Sequence, residues 1–345
     1  MSLSSRPLLT RRDRAIFAGR QGELTRVLAA IRAGFNCVIV GDPGSGRTTL
    51  ANAAAAELET DKPPVPVLTV YAAEIVDAAG LLAAASAELT VRGWPAPDPT
   101  PRAGVRAEAI DRLDGLRRQL AARPTGEPPP VVLVEDVSIA AGRELFGAMR
   151  DELWTVDARW LATVSTSRAA ELLRPPADVF FEVAVTLSDL ADDDARALIR
   201  LRLPSAADDL VDQIVAAGRG NPRKLVDLAR QLATDPAGAA ASSAGRIARD
   251  AAIDALGRPA RMLATELDAL GSAAASDRDL LDRLGWTRSR AVQVLSELEG
   301  SRLVTHQSQG TGRGRPRKVY RLVTGPEYAA AARVSPTPGE PGAAG

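Results

Sequence analysis

The sequence predicts an α/β fold: a mostly parallel sheet flanked by helices, continued by a helical segment and by a smaller C-terminal module of helices and a β-hairpin. Short apolar runs of the buried-strand kind, Asn36–Val40, Val131–Val134 and Trp160–Ser165, alternate with stretches of helix formers, the pattern of strand–helix–strand crossovers. A glycine-rich turn, Gly41–Gly46, separates the first of these runs from the helix formers of Thr48–Leu58. Near the C-terminus, three amphipathic segments are followed by two strand-like runs around a tip rich in glycine and arginine.

Taken in order, Glu23–Ala33 carries apolar residues at helical spacing and leads into the run Asn36–Val40. Val65–Tyr71 predicts a strand, Ala79–Val91 a helix and Trp94–Arg102 a proline-rich surface loop, and a second proline cluster, Pro124–Pro130, precedes Val131. Helix Gly142–Leu153 and strands Trp160–Ser165 and Val179–Val185 complete an alternation that implies right-handed crossovers. Ser188–Ala233 reads as helical and has the size of a small lid, with Ser188 and Asp192 as N-cap candidates and Gly220-Asn221-Pro222 as a break. The expected organisation is an N-terminal arm (1–15), a core (16–187), a helical lid (188–234), a linker (235–257), the C-terminal module (258–325) and a disordered tail (326–345) with nothing to bury.

At 345 residues the chain is long enough for more than one core. Its 46% apolar and 25% charged residues are ordinary for a soluble globular protein. One cysteine, Cys37, allows no intramolecular disulfide, so a reducing, cytoplasmic location is expected, with Cys37 filling core. No run approaches the roughly 20 apolar residues of a membrane span, and the N-terminus lacks a signal-peptide core, so neither membrane insertion nor secretion is expected. The 43 basic and 43 acidic residues balance, but unevenly along the chain: Arg258–Val323 holds 12 basic and 7 acidic residues. A basic module is attached to an acidic body. Almost every basic residue is arginine, lysine occurring only at Lys62, Lys224 and Lys318.

The turn Gly41-Asp42-Pro43-Gly44-Ser45-Gly46-Arg47-Thr48-Thr49 has the spacing of the Walker A pattern G-x-x-x-x-G-K-[ST], with Arg47 in the lysine place. Glycines at 41, 44 and 46 let backbone N–H groups turn inward around a phosphate chain, the following helix offers its positive end, and Thr48 can coordinate Mg²⁺. The run Val131–Val134 ends in Glu135 and Asp136, acids of the kind that hold Mg²⁺ and polarise an attacking water. ATP and Mg²⁺ are therefore the expected ligands, with Thr48 and Glu135 on the metal and Glu135, Asp136 and Arg47 as catalytic candidates. Arg47 keeps the positive charge but is larger and planar at a place shaped for a point charge. Compositional drift towards arginine and a true loss of hydrolysis both account for it.

On these features and on Phe17, Gly19, Arg20, Glu23 and Leu24, which match an opening motif of the form F-x-G-R-x-x-E-L, the span from Ile16 to about Ala233 resembles two groups. They are the AAA+ ATPases related to origin-recognition and initiator proteins, and the regulatory STAND ATPases close to them. The resemblance implies a P-loop NTPase core with a helical lid, Ile16 and Phe17 near the adenine, and Arg20 within the site. It further implies Ser165 or Thr166 in the sensor-1 position, Arg223 as the lid arginine touching the γ-phosphate, and assembly as a homo-oligomer or with a partner ATPase. Arg168 or Arg174 would be the finger arginine for a neighbouring subunit. The chain departs from the pattern at Arg47 and in the acid order, Glu135-Asp136 where initiators have Asp-Glu; STAND relatives tolerate the latter.

In the C-terminal module, helices are predicted at Arg258–Leu270, Ser276–Leu284 and Arg288–Leu298, the last capped by Thr287 and presenting Arg288, Ser289, Arg290 and Gln293. Strands Leu303–Gln309 and Val319–Val323 flank a tip that bears Arg313, Arg315, Arg317 and Lys318 and no acid. This order resembles the winged-helix fold of MarR-like regulators and of the C-terminal domains of initiator ATPases. It implies a third helix in the major groove of double-stranded DNA, where Arg and Gln read base edges, and a wing on the minor groove or phosphates. Arg313–Pro316 also spells the core of an AT-hook, but the flanking strands account for its position. Winged helices also hold protein partners. His306, the only histidine, has no second histidine or cysteine for a metal site. Two readings follow: an ATP-dependent DNA-binding regulator, or a nucleotide-gated STAND-type assembly or signalling switch that binds a protein.

Overall fold

The computed structural model describes residues 16–95, 105–234, 236–309 and 317–334. Among these, the chain forms two compact units, 16–201 with 221–223, and 202–220 with 224–334.

In the first unit, α1 (Gln21–Arg32) leads into β1 (Cys37–Gly41) and α2 (Arg47–Leu58), followed by β2 (Val67–Tyr71), α3 (Ala78–Val91), α4 (Val105–Ala121) and β3 (Val131–Glu135). Then come α5 (Ile139–Gly142), α6 (Arg150–Leu153), β4 (Arg159–Ser165), α7 (Thr166–Leu172), β5 (Val183–Leu187) and α8 (Asp192–Arg202). The strands form a parallel sheet in the order β2-β3-β4-β1-β5. Every residue of β1 and β3 is buried, as expected of parallel strands covered on both faces. One apolar cluster includes Val38, Leu68, Val132 and Trp160; the other includes Ile39, Leu50, Leu133 and Leu161, so alternate residues of each strand feed opposite faces. Gly41 pairs with Ser165 and Leu187, and Tyr71 with Glu135, so the strands' carboxyl ends align along one edge, where open α/β sheets bind ligands. Cys37 is fully buried and its thiol is pushed up to about 12 by that burial, which makes it core filling rather than a nucleophile.

Two expectations need correction in this unit, and one helix lies where none is expected. The run Val179–Val185 does not form one strand: a 3₁₀ turn, Ala177–Val179, precedes β5, and Phe180 and Phe181 instead pack on Phe146 at 5.1 and 4.8 Å between ring centroids. The helix expected over Gly142–Leu153 is interrupted by a π turn at Arg143–Ala148, which lies between α5 and α6. Helix α4 lies in a stretch, bounded by two proline clusters, to which no element had been assigned.

The second unit holds α9 (Asp208–Gly218), α10 (Pro222–Thr234, all but its first two residues), α11 (Pro236–Ala255), α12 (Arg258–Leu270), β6 (Ala273–Ala274), α13 (Arg278–Leu284), α14 (Arg288–Gly300), β7 (Val304–Gln309), β8 (Arg317–Leu322) and α15 (Gly325–Val334). The three strands are antiparallel in the order β6-β8-β7. Leu263, Leu267, Leu280, Val294, Leu298, Leu303 and Tyr320 form its core.

Here the expected linker at 235–257 is mostly helix α11, which packs against α9, α12 and α15 and buries Arg249, Asp250 and Ile253. The tail expected to be disordered from 326 is helical as far as Val334. Its start is fixed by Glu327, which accepts from Thr324 N (2.8 Å) and takes both Nη atoms of Arg321 (2.9 and 2.8 Å); these bonds hold the Glu327 carboxyl down at about 2. Gly245 lets α11 approach α15 closely, since a Cβ there would lie 2.0 Å from Gly325 O.

Candidate functional site

The loop between β1 and α2 owes its shape to glycines that other residues could not replace. Gly44 (φ 83°) and Gly46 (φ 96°) adopt the left-handed region, and Gly46 caps α2. A Cβ on Gly44 would meet Asn221 Oδ1 at 2.7 Å and Arg223 Cβ at 2.9 Å. Asn221 Nδ2 donates to Pro43 O (3.1 Å) and Arg223 N to Gly44 O (3.2 Å), so the residues before and within the first turn of α10 hold the loop by its carbonyls. The loop's N–H groups and the first turn of α2 supply the donors for an anion. Ser45 Oγ is buried without a hydrogen-bond partner, and Thr49 is half-buried one residue beyond Thr48.

Glu135 closes β3, 5% exposed. Thr48 Oγ1 donates to its Oε2 at 2.9 Å and Thr163 Oγ1 at 3.3 Å, while Oε1 is buried without a partner. These residues suit Mg²⁺, which takes one or two protein oxygens and completes its shell with water and phosphate; among the described residues no group of three or more His, Cys, Asp or Glu gathers as a metal cage. Burial pushes the Glu135 carboxyl above its ordinary value; the hydrogen bonds from Thr48 and Thr163 and the charge of Arg47 oppose this, and the charge of Asp136 adds to it.

That direction carries a prediction for the metal-free protein. A carboxyl raised in the folded state keeps its proton where the unfolded chain has lost it, so its effect on stability is absent at low pH. It becomes a penalty as pH rises from the ordinary carboxylate range through the raised value. Glu135→Gln is therefore expected to melt higher than the wild type at pH 7 to 8, with the gain vanishing towards pH 4. A melting temperature that falls equally at both ends of that series would contradict it.

Asp136 follows at φ 54°, with its N–H on Thr163 Oγ1 at 2.8 Å. Its Oδ1 receives Arg168 Nη2 at 2.9 Å and lies 3.8 Å from Arg47 Nη2. Arg47 Nη1 donates to Gly41 O at 2.5 Å, so this side chain folds back on the end of β1. Arg168, expected with Arg174 as a candidate finger, is 8% exposed and donates from Nε to Ser165 Oγ (3.2 Å), so in this chain it pairs within its own site. Arg174 is exposed. Ser165 Oγ also meets Ser167 Oγ at 3.0 Å.

The fold thus gathers Arg47, Thr48, Glu135, Asp136 and Ser165 around the loop. The Arg20 guanidinium meets the loop's backbone: Nη2 donates to Ser45 O (3.4 Å) and to Ser188 O, and Nη1 holds Glu23 (2.9 Å). Phe17 packs half-buried on the apolar cluster of α1, α2 and β1. Arg223 offers its main chain to the loop and exposes its side chain. Thr163 and Asn221 join the site although no motif in the sequence marks them for it. A polar residue inside the buried run Trp160–Ser165 was the available sign of Thr163.

In the second unit, Thr287 caps α14 by accepting from Arg290 N at 3.4 Å, and Arg288, Ser289, Arg290 and Gln293 are exposed as expected. Arg290 Nη1 donates to Gln293 Oε1 (2.8 Å) with its guanidinium 5.8 Å from the Trp286 ring, and Gln293 Nε2 donates to Glu297 (3.3 Å). At the base of the hairpin, Arg317 and Lys318 are exposed, and Lys318 Nζ lies 3.5 Å from Glu299. His306 Nδ1 is 2.6 Å from the same carboxylate, which gives the histidine an acid partner. Arg313 and Arg315 lie outside the described residues. No helix among the described residues is long and apolar enough to cross a membrane.

A glycine loop between strand and helix at the carboxyl edge of a five-stranded parallel sheet, with the loop threonine on an acid of the next-but-one strand, defines a P-loop nucleotide-binding protein. Residues 16–178 match the AAA ATPase domain family, in keeping with the P-loop fold of this part of the chain. Among solved structures, the chain is similar to the Orc1 protein of Aeropyrum pernix in complex with DNA, with 17% identity over 94% of each chain and a TM-score of 0.51. It is also similar to Cdc6p from Pyrobaculum aerophilum, with 13% identity over 95% of each chain and a TM-score of 0.52. These likenesses are of fold. No curated protein matches the chain.

Proposed function

We propose that the chain is an ATP- and Mg²⁺-binding AAA+ regulator whose nucleotide state sets DNA binding by a C-terminal winged helix. The observation that carries the reading is the Thr48–Glu135 hydrogen bond at 2.9 Å beside left-handed Gly44 and Gly46, the arrangement a metal–phosphate pair needs. Asn221 and Arg223, bonded to the same loop, are placed to respond to what it holds. Support for the DNA half is the order α12-β6-α13-α14-β7-β8, which is that of a winged helix, with exposed Arg288, Ser289, Arg290 and Gln293 opening α14 and Arg317 and Lys318 on the hairpin. The similar Orc1 structure was solved with DNA. As in its class, the protein is proposed to work as a homo-oligomer or with a partner ATPase. A second reading, a STAND-type switch with weak hydrolysis and a protein on the winged helix, is favoured by the grip of two arginines on Asp136.

Anisotropy titration of a mixed-sequence duplex, at fixed salt with ATP, with ADP and without nucleotide, tests the proposal. ATP and ADP states are expected to differ in DNA affinity about tenfold. Equal affinities would remove the coupling; absence of DNA binding at low salt would leave the protein-binding reading.

A further inference from the structure

Arg168 sits three residues past the end of β4, and each of its guanidinium nitrogens ends on an atom near the loop. Nε donates to Ser165 Oγ at 3.2 Å, Nη1 to Val137 O at 3.4 Å and Nη2 to Asp136 Oδ1 at 2.9 Å. The guanidinium of Arg47 stands 3.8 Å from the same oxygen. Two cations therefore converge on one carboxylate oxygen. The carboxylate's position is fixed as well, by a left-handed backbone (φ 54°) and by the Thr163 hydroxyl on its N–H. A non-glycine residue in that conformation is strained and persists only where its surroundings over-determine it.

Glu135, bonded to Thr48, stands in the metal's place, which leaves Asp136 as the acid able to orient a water. In ATP hydrolysis the water oxygen bonds to the γ-phosphorus as the bond to the ADP oxygen breaks, and the water's proton passes to a carboxylate or to solvent. The Asp136 oxygen that accepts the Arg168 N–H at 2.9 Å, with the Arg47 guanidinium beside it, has that lone pair taken and its approach crowded, so it is poorly placed to receive a water.

We propose that Arg168, assisted by Arg47, is a built-in brake that withholds Asp136 from hydrolysis, so that bound ATP persists as a signal rather than being turned over. Arg168 is then a positioning residue that acts through Asp136. The proposal rests on the nucleotide reading above and goes beyond it by naming how turnover is restrained.

The test uses the full chain as wild type, Arg168→Gln, Ser165→Ala and the double variant Arg168→Gln with Asp136→Asn. Three quantities are read: the Kd for Mg-ATP by calorimetry, phosphate release in a single turnover, and carbodiimide labelling of Asp136 in nucleotide-free protein by peptide mass spectrometry. Arg168→Gln is expected to label Asp136 about threefold faster, because the carboxylate has lost its ion pair. It should also release phosphate about tenfold faster with a Kd for ATP within about threefold of wild type, and the double variant should lose that gain. Ser165→Ala removes one anchor of Arg168 and should raise both labelling and release by a smaller factor, which keeps the brake testable if Arg168→Gln does not fold. Unchanged labelling, release no faster than wild type, or a gain that survives Asp136→Asn would overturn the brake. A wild type that binds no ATP would overturn the nucleotide reading, and the brake with it.

Discussion

Asp250→Ala is expected to destabilise the C-terminal unit by about 3–5 kcal/mol, the usual cost of removing one partner from a buried ion pair. Asp250 is 7% exposed on α11, and its Oδ1 receives Arg249 Nε at 3.0 Å and Nη2 at 2.7 Å. Arg249, itself 5% exposed, also donates to Val323 O at 3.0 Å, just after β8. Lys224 of α10 lies 3.9 Å from Asp250 Oδ2 and 3.7 Å from Asp268 of α12. Without Asp250, the Arg249 guanidinium would remain buried among other cations, for Arg246 is close enough that burial and the charge of Arg249 both lower its own pKa. The carboxylate is thus the charge that lets α10, α11 and the strand end share one interior. Urea unfolding followed by circular dichroism measures the loss. Asp268→Ala, at an exposed position, should cost far less, within the range of surface ion pairs. A loss under about 1 kcal/mol for Asp250→Ala would mean that the pair is solvated rather than buried.

The same helix marks where sequence reading stopped. Gly238, Ser242 and Ser243 among alanines look like a linker by composition. What makes the segment a structural helix is the pair Arg249 and Asp250 and the close approach at Gly245, and these depend on contacts with residues more than 70 positions away, near Val323 and Gly325. Strand β6 was equally hidden, because Ala273 and Ala274 have no strand signature of their own and pair only once β8 is in place. By contrast β1, β3 and β4 were legible, since a buried parallel strand writes itself as an unbroken apolar run. In the site, the residue types of the loop and of Glu135 follow from local chemistry at fixed spacing, so they could be read in advance. Arg168 could not, because whether an arginine after a strand is a solvated finger or a buried partner of Asp136 depends on how that strand end faces β3. Arg47 is intermediate: its place in the motif was plain, but its turn back to Gly41 O was not.

Replacing Arg313, Arg315 and Arg317 together by alanine is expected to weaken binding to a DNA duplex about hundredfold near 0.15 M salt and to lower the salt slope by about 2–3. Each phosphate contact releases close to one counterion, so its loss removes roughly 0.9 from the slope of log K against log salt, and about 0.7 of a decade in affinity at that salt. Three contacts together approach the stated factor. Arg317 is exposed at the start of β8, in keeping with such a role. Lys318, 3.5 Å from Glu299, already has a counter-charge within the unit, so Lys318→Ala should cost less than any one of the arginines. Gln293 supplies the contrast. Its exposed place on α14, tied to Arg290 and Glu297, suits a base edge rather than a phosphate, and Gln293→Ala should alter which sequences are preferred while leaving the slope unchanged. Binding isotherms on selected and scrambled duplexes at three salt concentrations separate the two effects. If the triple variant keeps both the affinity and the slope of the wild type, the hairpin does not meet DNA, and the partner of the C-terminal unit must be sought among proteins.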